Sequence, residues 1–174
     1  IQKVLKQTCT LATKELNLMY SLVCMLNKNA ELDIVESSGT NSLINELPLN
    51  KKNSVYKKAI FEKQALTIDN TFKNDISLDL SLEQENGIKS MVVYPLFKEE
   101  SIIGLLIFCS STENYFNKQI IEILKKISNG LSFAIQKEEK ELIKIKYEEQ
   151  LRIGAYAFDS HEAMAITDIN ANII

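Results

Sequence analysis

The chain has 174 residues, 45% of them hydrophobic and 25% charged, with a formal net charge of -3. That balance excludes wholesale disorder and suits one ordinary domain plus an appendage. It carries no clustered basic face, which excludes an electrostatic nucleic-acid footprint and argues against an anionic membrane surface.

The longest apolar stretch, Ile102 to Phe108, is far shorter than the roughly 20 residues of a spanning helix. Three cysteines, Cys9, Cys24 and Cys109, stand far apart with no CxxC. An odd, scattered set argues against a disulfide framework or a zinc knuckle and points to a reducing cytoplasm. The chain opens on Ile1 and is expected to be a piece of a longer polypeptide, which leaves room for a membrane sensor upstream.

Val4, Leu5, Cys9, Ala12 and Leu16 recur at helical spacing and predict a one-sided helix. Leu18 to Leu26 is apolar on both alternating sets, which predicts a strand buried on both faces. Asn27-Lys28-Asn29-Ala30 is a turn, and Leu32 to Ser38 returns as the second strand of a hairpin. Asn53 or Ser54 can cap a helix running to about Lys63, with Val55, Tyr56, Ala59 and Ile60 on its apolar side. Ala65 to Ile68 is a short strand. Asp69 to Leu78 is an irregular connection, and Leu80 to Asn86 makes a helical turn or two that Gly87 can end.

Lys89–Phe97 and Ser101–Ser110 form a second hairpin with a charged tip at Lys98-Glu99-Glu100. In its second arm Ile102, Gly104, Leu106 and Phe108 face one way, and Ile103, Leu105, Ile107 and Cys109 the other. Both sets are apolar, so this strand is expected at the centre of a sheet covered on both sides. Pro95 requires a place where no ladder donor is needed, or a bulge. From about Asn117 the period turns helical, with a stripe from Ile120 through Leu124 and Leu131 to Ile135. Gln136 to Gln150 is crowded with Lys and Glu around Leu142, Ile143, Ile145 and Tyr147, and reads as a solvated helix or a coiled-coil seam.

Two stretches carry a family resemblance. Gly87-Ile88-Lys89-Ser90 running into Tyr94-Pro95-Leu96, then Ile102-Ile103-Gly104-Leu105-Leu106, resembles the pattern of GAF domains, and Tyr115-Phe116-Asn117 through Ala134-Ile135 resembles their closing helix. The resemblance spans residues 1–140. It implies an α+β, profilin-like fold with an antiparallel sheet of five or six strands in the order 2-1-5-4-3, helices on both faces and a long C-terminal signalling helix. Residues 141–153 would be a linker or coiled-coil helix. Leu151 to Ser160 with Ala163-Met164-Ala165-Ile166-Thr167-Asp168 resembles the first helix and hairpin of a PAS domain, so residues 154–174 are expected to be its truncated start. Such pairs occur in bacterial histidine kinases and in proteins that make or degrade cyclic di-GMP.

The resemblance implies a sensory, non-enzymatic module with an unknown small-molecule ligand and an unknown cofactor, no metal, a homodimer built on its N- and C-terminal helices, and PAS and output domains in the same chain. The family's pocket location points to Phe61, Asp69, Phe72, Met91 and Tyr94 as ligand contacts, under a lid from Tyr56 to Asn86. Bilin-binding relatives place Cys beside His, and haem ones need imidazole; the one His, His161, lies in the PAS-like stretch with no Cys next to it. Cyclic-nucleotide relatives carry an Asp-Glu pair where this chain has Ile120 and Ile121. The alternatives are a ligand-free dimerising relay and, less favoured, a cysteine-based methionine sulfoxide reductase. Asp69, Asp75, Asp79, Glu83 and Glu85 could form a metal or amine site, although a solvated acidic loop is the plainer reading.

Overall fold

The computed structural model describes residues 1–39, 48–73 and 78–155, and beyond these the backbone alone to residue 173. Helix α1 (Gln2–Glu15) leads into strand β1 (Tyr20–Leu26) and strand β2 (Leu32–Gly39). Helix α2 (Val55–Glu62), strand β3 (Leu66–Ile68), a 3-10 turn (Thr71–Lys73) and the short helix α3 (Ser81–Glu85) follow. Strands β4 (Ser90–Lys98) and β5 (Ser101–Ser110) form the second hairpin, and helix α4 spans Lys118–Ile173.

The described residues form one antiparallel sheet of five strands in the order β2-β1-β5-β4-β3, as the resemblance implies. Strand β5 is central. It pairs with β1 in register Val23↔Leu106 and with β4 in register Val93↔Ile107. Its alternation supplies two cores. Leu105, Ile107 and Cys109 join Tyr20, Leu22, Met91 and Val93 beneath Val55, Tyr56 and Ala59 of α2. Leu106 and Phe108 join Val23, Val92, Tyr94 and Leu96 beneath Leu5, Cys9 and Ala12 of α1 and Leu124 and Leu131 of α4.

Local chemistry explains the element ends. Ser54 caps α2 by accepting the Lys57 amide at 3.2 Å, and Lys63 ends it in the left-handed region at φ 53°. Gly87, at φ 76°, takes the left-handed turn after α3. The sheet registers shift between Leu96 and Phe97, one residue beyond Pro95, and β3 ends its pairing at Val93. Pro95 thus lies past the end of one neighbour and beside a bulge, where a missing donor costs little. The bulge frees the Phe97 amide, which donates to Ser132 Oγ on α4 at 3.1 Å.

The chain divides into two compact units, Ile1–Ile135 and Gln136–Ile174. The second is the C-terminal part of α4. Its residues from Glu141 to Ala155 are all exposed, Leu142, Ile145, Tyr147 and Leu151 among them. The sequence pattern expects a strand at Ala163–Thr167, whereas α4 is helical through it. Helical bonds satisfy that backbone locally. Among the described residues no helix is long and apolar enough to cross a membrane.

Gly104 faces Met25 across β1–β5, and a Cβ built there would collide with the Cys24 carbonyl oxygen and approach Met25 Cα to 3.1 Å. Gly104→Ala is therefore expected to force the central strands apart at a cost of about 1–3 kcal/mol. Urea unfolding of the variant beside wild type measures it; equal midpoints would refute the close approach.

Candidate functional site

The two faces of the sheet treat their polar groups differently. On the α1/α4 face several hydroxyls are paired. Ser21 Oγ donates to the Cys9 carbonyl at 2.8 Å and lies 2.8 Å from Thr13 Oγ1. Tyr94 donates its hydroxyl to the Ile121 carbonyl of α4 at 2.9 Å, and Tyr115 donates to the Leu16 carbonyl. Burial pushes the Tyr94 phenol up to about 12, with Glu122 adding to it.

On the opposite face lies the exception. Glu83 is 0% exposed, and neither carboxylate oxygen has a hydrogen-bond partner in the protein. The Tyr56 hydroxyl, also wholly buried, has none either. Helix α3 carries Glu83 inward because Leu80 and Glu83 share its buried side. Three bonds hold α3 in place: Gln84 Nε2 donates to the Thr71 carbonyl at 2.6 Å, Thr71 Oγ1 to the Ile88 carbonyl at 2.7 Å, and the Thr71 amide to the Lys89 carbonyl at 2.9 Å. Tyr56 comes from α2, where Val55, Tyr56 and Ala59 form the buried stripe.

Burial raises the Glu83 pKa above its ordinary value of 4.5, and the charge of Asp79 adds to this. The amide of Glu83 itself, the Tyr56 hydroxyl and the charge of Lys51 pull it back in part. Burial is the largest of these influences, so the net displacement is upward. The Tyr56 phenol is raised well above 10 by burial first and then by the charge of Glu83.

Of the five residues expected to contact a ligand, the structure brings no cluster together. Phe61 is 89% and Phe72 57% exposed. Asp69 is exposed, with its backbone carbonyl accepting the Asn114 amide. Met91 is buried against the α2/α3 side and Tyr94 against the α1/α4 side. An odd spacing of three residues in a strand puts two side chains on opposite faces. Phe61 lies two residues past Ala59, away from the buried stripe of α2. It lines an open groove of about 690 Å³ with Lys52, Lys57, Lys58, Ile60 and Leu78.

The acidic set does not converge as a solvated loop. Asp79 is exposed, accepts from Ser81 Oγ at 2.5 Å and pairs with Lys51 at 3.5 Å. Glu85 is exposed and Glu83 is interior, while Asp75 lies outside the described residues. Among the described residues no three His, Cys, Asp or Glu side chains group as metal ligands. Sequence reasoning missed Glu83 and Tyr56 as a pair. The available signal was Glu83 standing three residues after Leu80 and so on the same side of a helical turn.

All three cysteines are buried. Burial pushes the Cys9 thiol up to about 11 and the Cys24 thiol up to about 12, and drives Cys109 higher. Such thiols hold their protons and are poor nucleophiles.

The model of the GAF domain family matches residues 1–136, and the chain belongs to that family. No curated protein sequence matches it. Solved structures share the fold at low identity. The GAF domain region of a protein named as a membrane protein from Geobacter sulfurreducens PCA is 20% identical at a TM-score of 0.66, over 78% of this chain and 92% of that one. A domain of a protein named as a two-component sensor histidine kinase from Sinorhizobium meliloti 1021 is 19% identical at 0.68, over 83% and 96%. A type II free methionine-R-sulfoxide reductase from Thermoplasma acidophilum is 14% identical at 0.64, over 75% and 89%.

Two outcomes follow. Glu83→Gln removes a buried charge with no partner and is expected to stabilise the domain at neutral pH by about 1–3 kcal/mol. A carboxyl whose folded pKa is raised contributes fully below its unfolded value near 4.5 and loses that contribution as pH rises through the folded value. The wild type should therefore fall behind Glu83→Gln across that window in thermal unfolding, and a gap independent of pH would refute the assignment. Separately, a thiol reagent at pH 8 should leave Cys9, Cys24 and Cys109 unmodified in the native protein and label all three in guanidinium; rapid labelling of native protein would show an accessible thiolate.

Proposed function

We propose that this chain is the sensory part of a bacterial cytoplasmic signalling protein. A small molecule binds on the α2/α3 face of the sheet, and α4 passes the signal to a PAS domain, begun at residues 154–174, and on to output domains such as those of cyclic di-GMP turnover. Catalysis belongs to those other domains. The observation that carries this reading is the double role of β4. Met91 and Val93 face the α2/α3 core, while Tyr94 and Phe97, a few residues away, are hydrogen-bonded to Ile121 and Ser132 of α4. A ligand that moves β4 therefore moves two anchors of the helix together. The sulfoxide reductase reading is disfavoured because the three thiols are buried and proton-bound.

A ligand-free dimerising relay is the second reading, favoured by a mostly apolar groove of about 280 Å³ between α1 and α4. Leu11, Ala12, Leu16, Ile123 and Ile127 line it, and Leu11 and Ile123 are about half exposed. Within the C-terminal unit, Leu142, Ile145 and Tyr147 among mixed charges suit a helical seam of their own.

Native mass spectrometry of the purified chain separates the readings. The sensory one expects a dimer that carries a small molecule and releases it on unfolding. A dimer with no added mass favours the relay, a monomer that carries a small molecule defeats the relay alone, and a monomer with no added mass defeats both. Leu11→Glu with Ile123→Glu should shift sedimentation toward monomer while leaving the far-ultraviolet circular dichroism unchanged.

A further inference from the structure

We infer that the groove between the outer edge of β4 and helix α4 is a second binding site, which takes a small organic anion: a carboxylate or phosphate group on a compact apolar body. The inference does not rest on the sensory reading, which puts its ligand on the α2/α3 face.

The groove follows from unequal strand lengths. β3 pairs with β4 only from Met91 to Val93, while β4 runs on to Lys98. Among the described residues no strand pairs with that side of β4 beyond Val93. Helix α2 has already ended at Lys63, in a left-handed turn. Between that turn, β4 and α4 remains a partly enclosed space of about 490 Å³, inside the range of roughly 300–1,000 Å³ usual for small-molecule sites. The edge is unsuited to a further strand. Pro95 has no amide to donate, and the Phe97 amide is taken by Ser132 Oγ at 3.1 Å.

The lining selects the charge. Lys63, at the end of α2, and Lys125, on α4, both line the groove, and no carboxylate does. Lys63 Nζ gives one hydrogen to the Glu100 carbonyl at 3.2 Å and keeps its other two. Glu122, whose charge reaches the Tyr94 phenol, is exposed and stands outside the lining. Tyr94, Pro95 and Phe97 supply an apolar floor.

Ser128 is an independent sign of a ligand. It is 2% exposed and lines the groove, yet among the described residues its hydroxyl has no hydrogen-bond partner. The other buried serines are engaged. Ser21 and Ser90 donate to carbonyls, and Ser54, Ser110 and Ser132 accept amides. A buried hydroxyl beside open space is left for a partner that enters from outside. An anion held there by Lys63, Lys125 and Ser128 bridges the end of α2 to α4. It lies beside the Tyr94–Ile121 and Phe97–Ser132 bonds, and so bears on how α4 is fastened to the sheet.

The test uses the full chain with benzoate, phenyl phosphate and the neutral benzamide. Isothermal titration at low ionic strength is expected to show both anions binding at least about tenfold tighter than benzamide, and weakening as salt is raised. Amide shifts in two-dimensional NMR should cluster at residues 63–67, 94–97 and 125–129. Lys125→Gln and Ser128→Ala should each cost about fivefold in benzoate affinity. Lys126→Gln makes the same change of charge one residue away, outside the lining, and should cost nothing. Circular dichroism of each variant checks that it is folded. Equal binding of benzamide, no binding of either anion, or equal losses in Lys125→Gln and Lys126→Gln would each overturn the inference and leave the sensory reading untouched. Shifts confined to the α2/α3 side would also overturn it, and would support the sensory reading instead.

Discussion

Strand β5 is the constraint on which the remaining structure depends. Its ten residues pair on one side with β1, about 80 positions earlier in the chain, and on the other with β4 across a tight charged turn. The turn makes the second pairing local and inexpensive. The first closes a long loop, and that entropy has to be offset by burial. The burial is there: from Gly104 to Ser110 every residue of β5 is buried, and the side chains divide between two helical layers. Gly104 lets β1 come close at one end of the pairing, and Tyr20 meets Cys109 at the other. Once β1 and β5 are joined, α1 and α4 have one face to cover, and α2 and α3 have the other.

Those two layers differ in their polar pairing. On the α1/α4 side, hydroxyls of Ser21, Thr13, Tyr94 and Tyr115 tie helices to strands and to one another, and Ser132 takes up the amide that the β4 bulge releases. Tyr94 also meets Phe108 edge-on at 6.3 Å. A layer pinned at so many polar points moves with the sheet. On the α2/α3 side, the cover is a helix of eight residues and another of five. It leaves a carboxylate and a phenol unpaired in the interior. Strain of this kind is tolerated at functional sites and selected against elsewhere. The two layers thus differ in how their polar groups are paired, and β4 is common to both.

The cysteines illustrate why a shared fold does not carry a shared chemistry. The reductase from Thermoplasma acidophilum has the same architecture at 14% identity. In this chain Cys24 and Cys109 lie in the apolar core and Cys9 in the opposite one, and each is held protonated by burial. Here the thiols behave as small hydrophobic side chains.

The order of elements, the central place of the Ile102–Cys109 strand, the hairpin turns and the Gly87 stop were all legible in the residues, because hydrophobic period, turn chemistry and capping are local properties. So was the parity of Met91 and Tyr94, which already forbids one pocket from holding both, although a family-based assignment of the pocket passes over it. Glu83 is the reverse case. Among its acidic neighbours it looks solvated, and only the packing of α3 against the sheet, fixed by Thr71 and Gln84, turns it inward beside Tyr56. Burial of a charge is decided by what lies above it, and what lies above it comes from distant parts of the chain. The local pattern by itself determined the fold; tertiary packing alone decided which charged and polar groups are taken out of water.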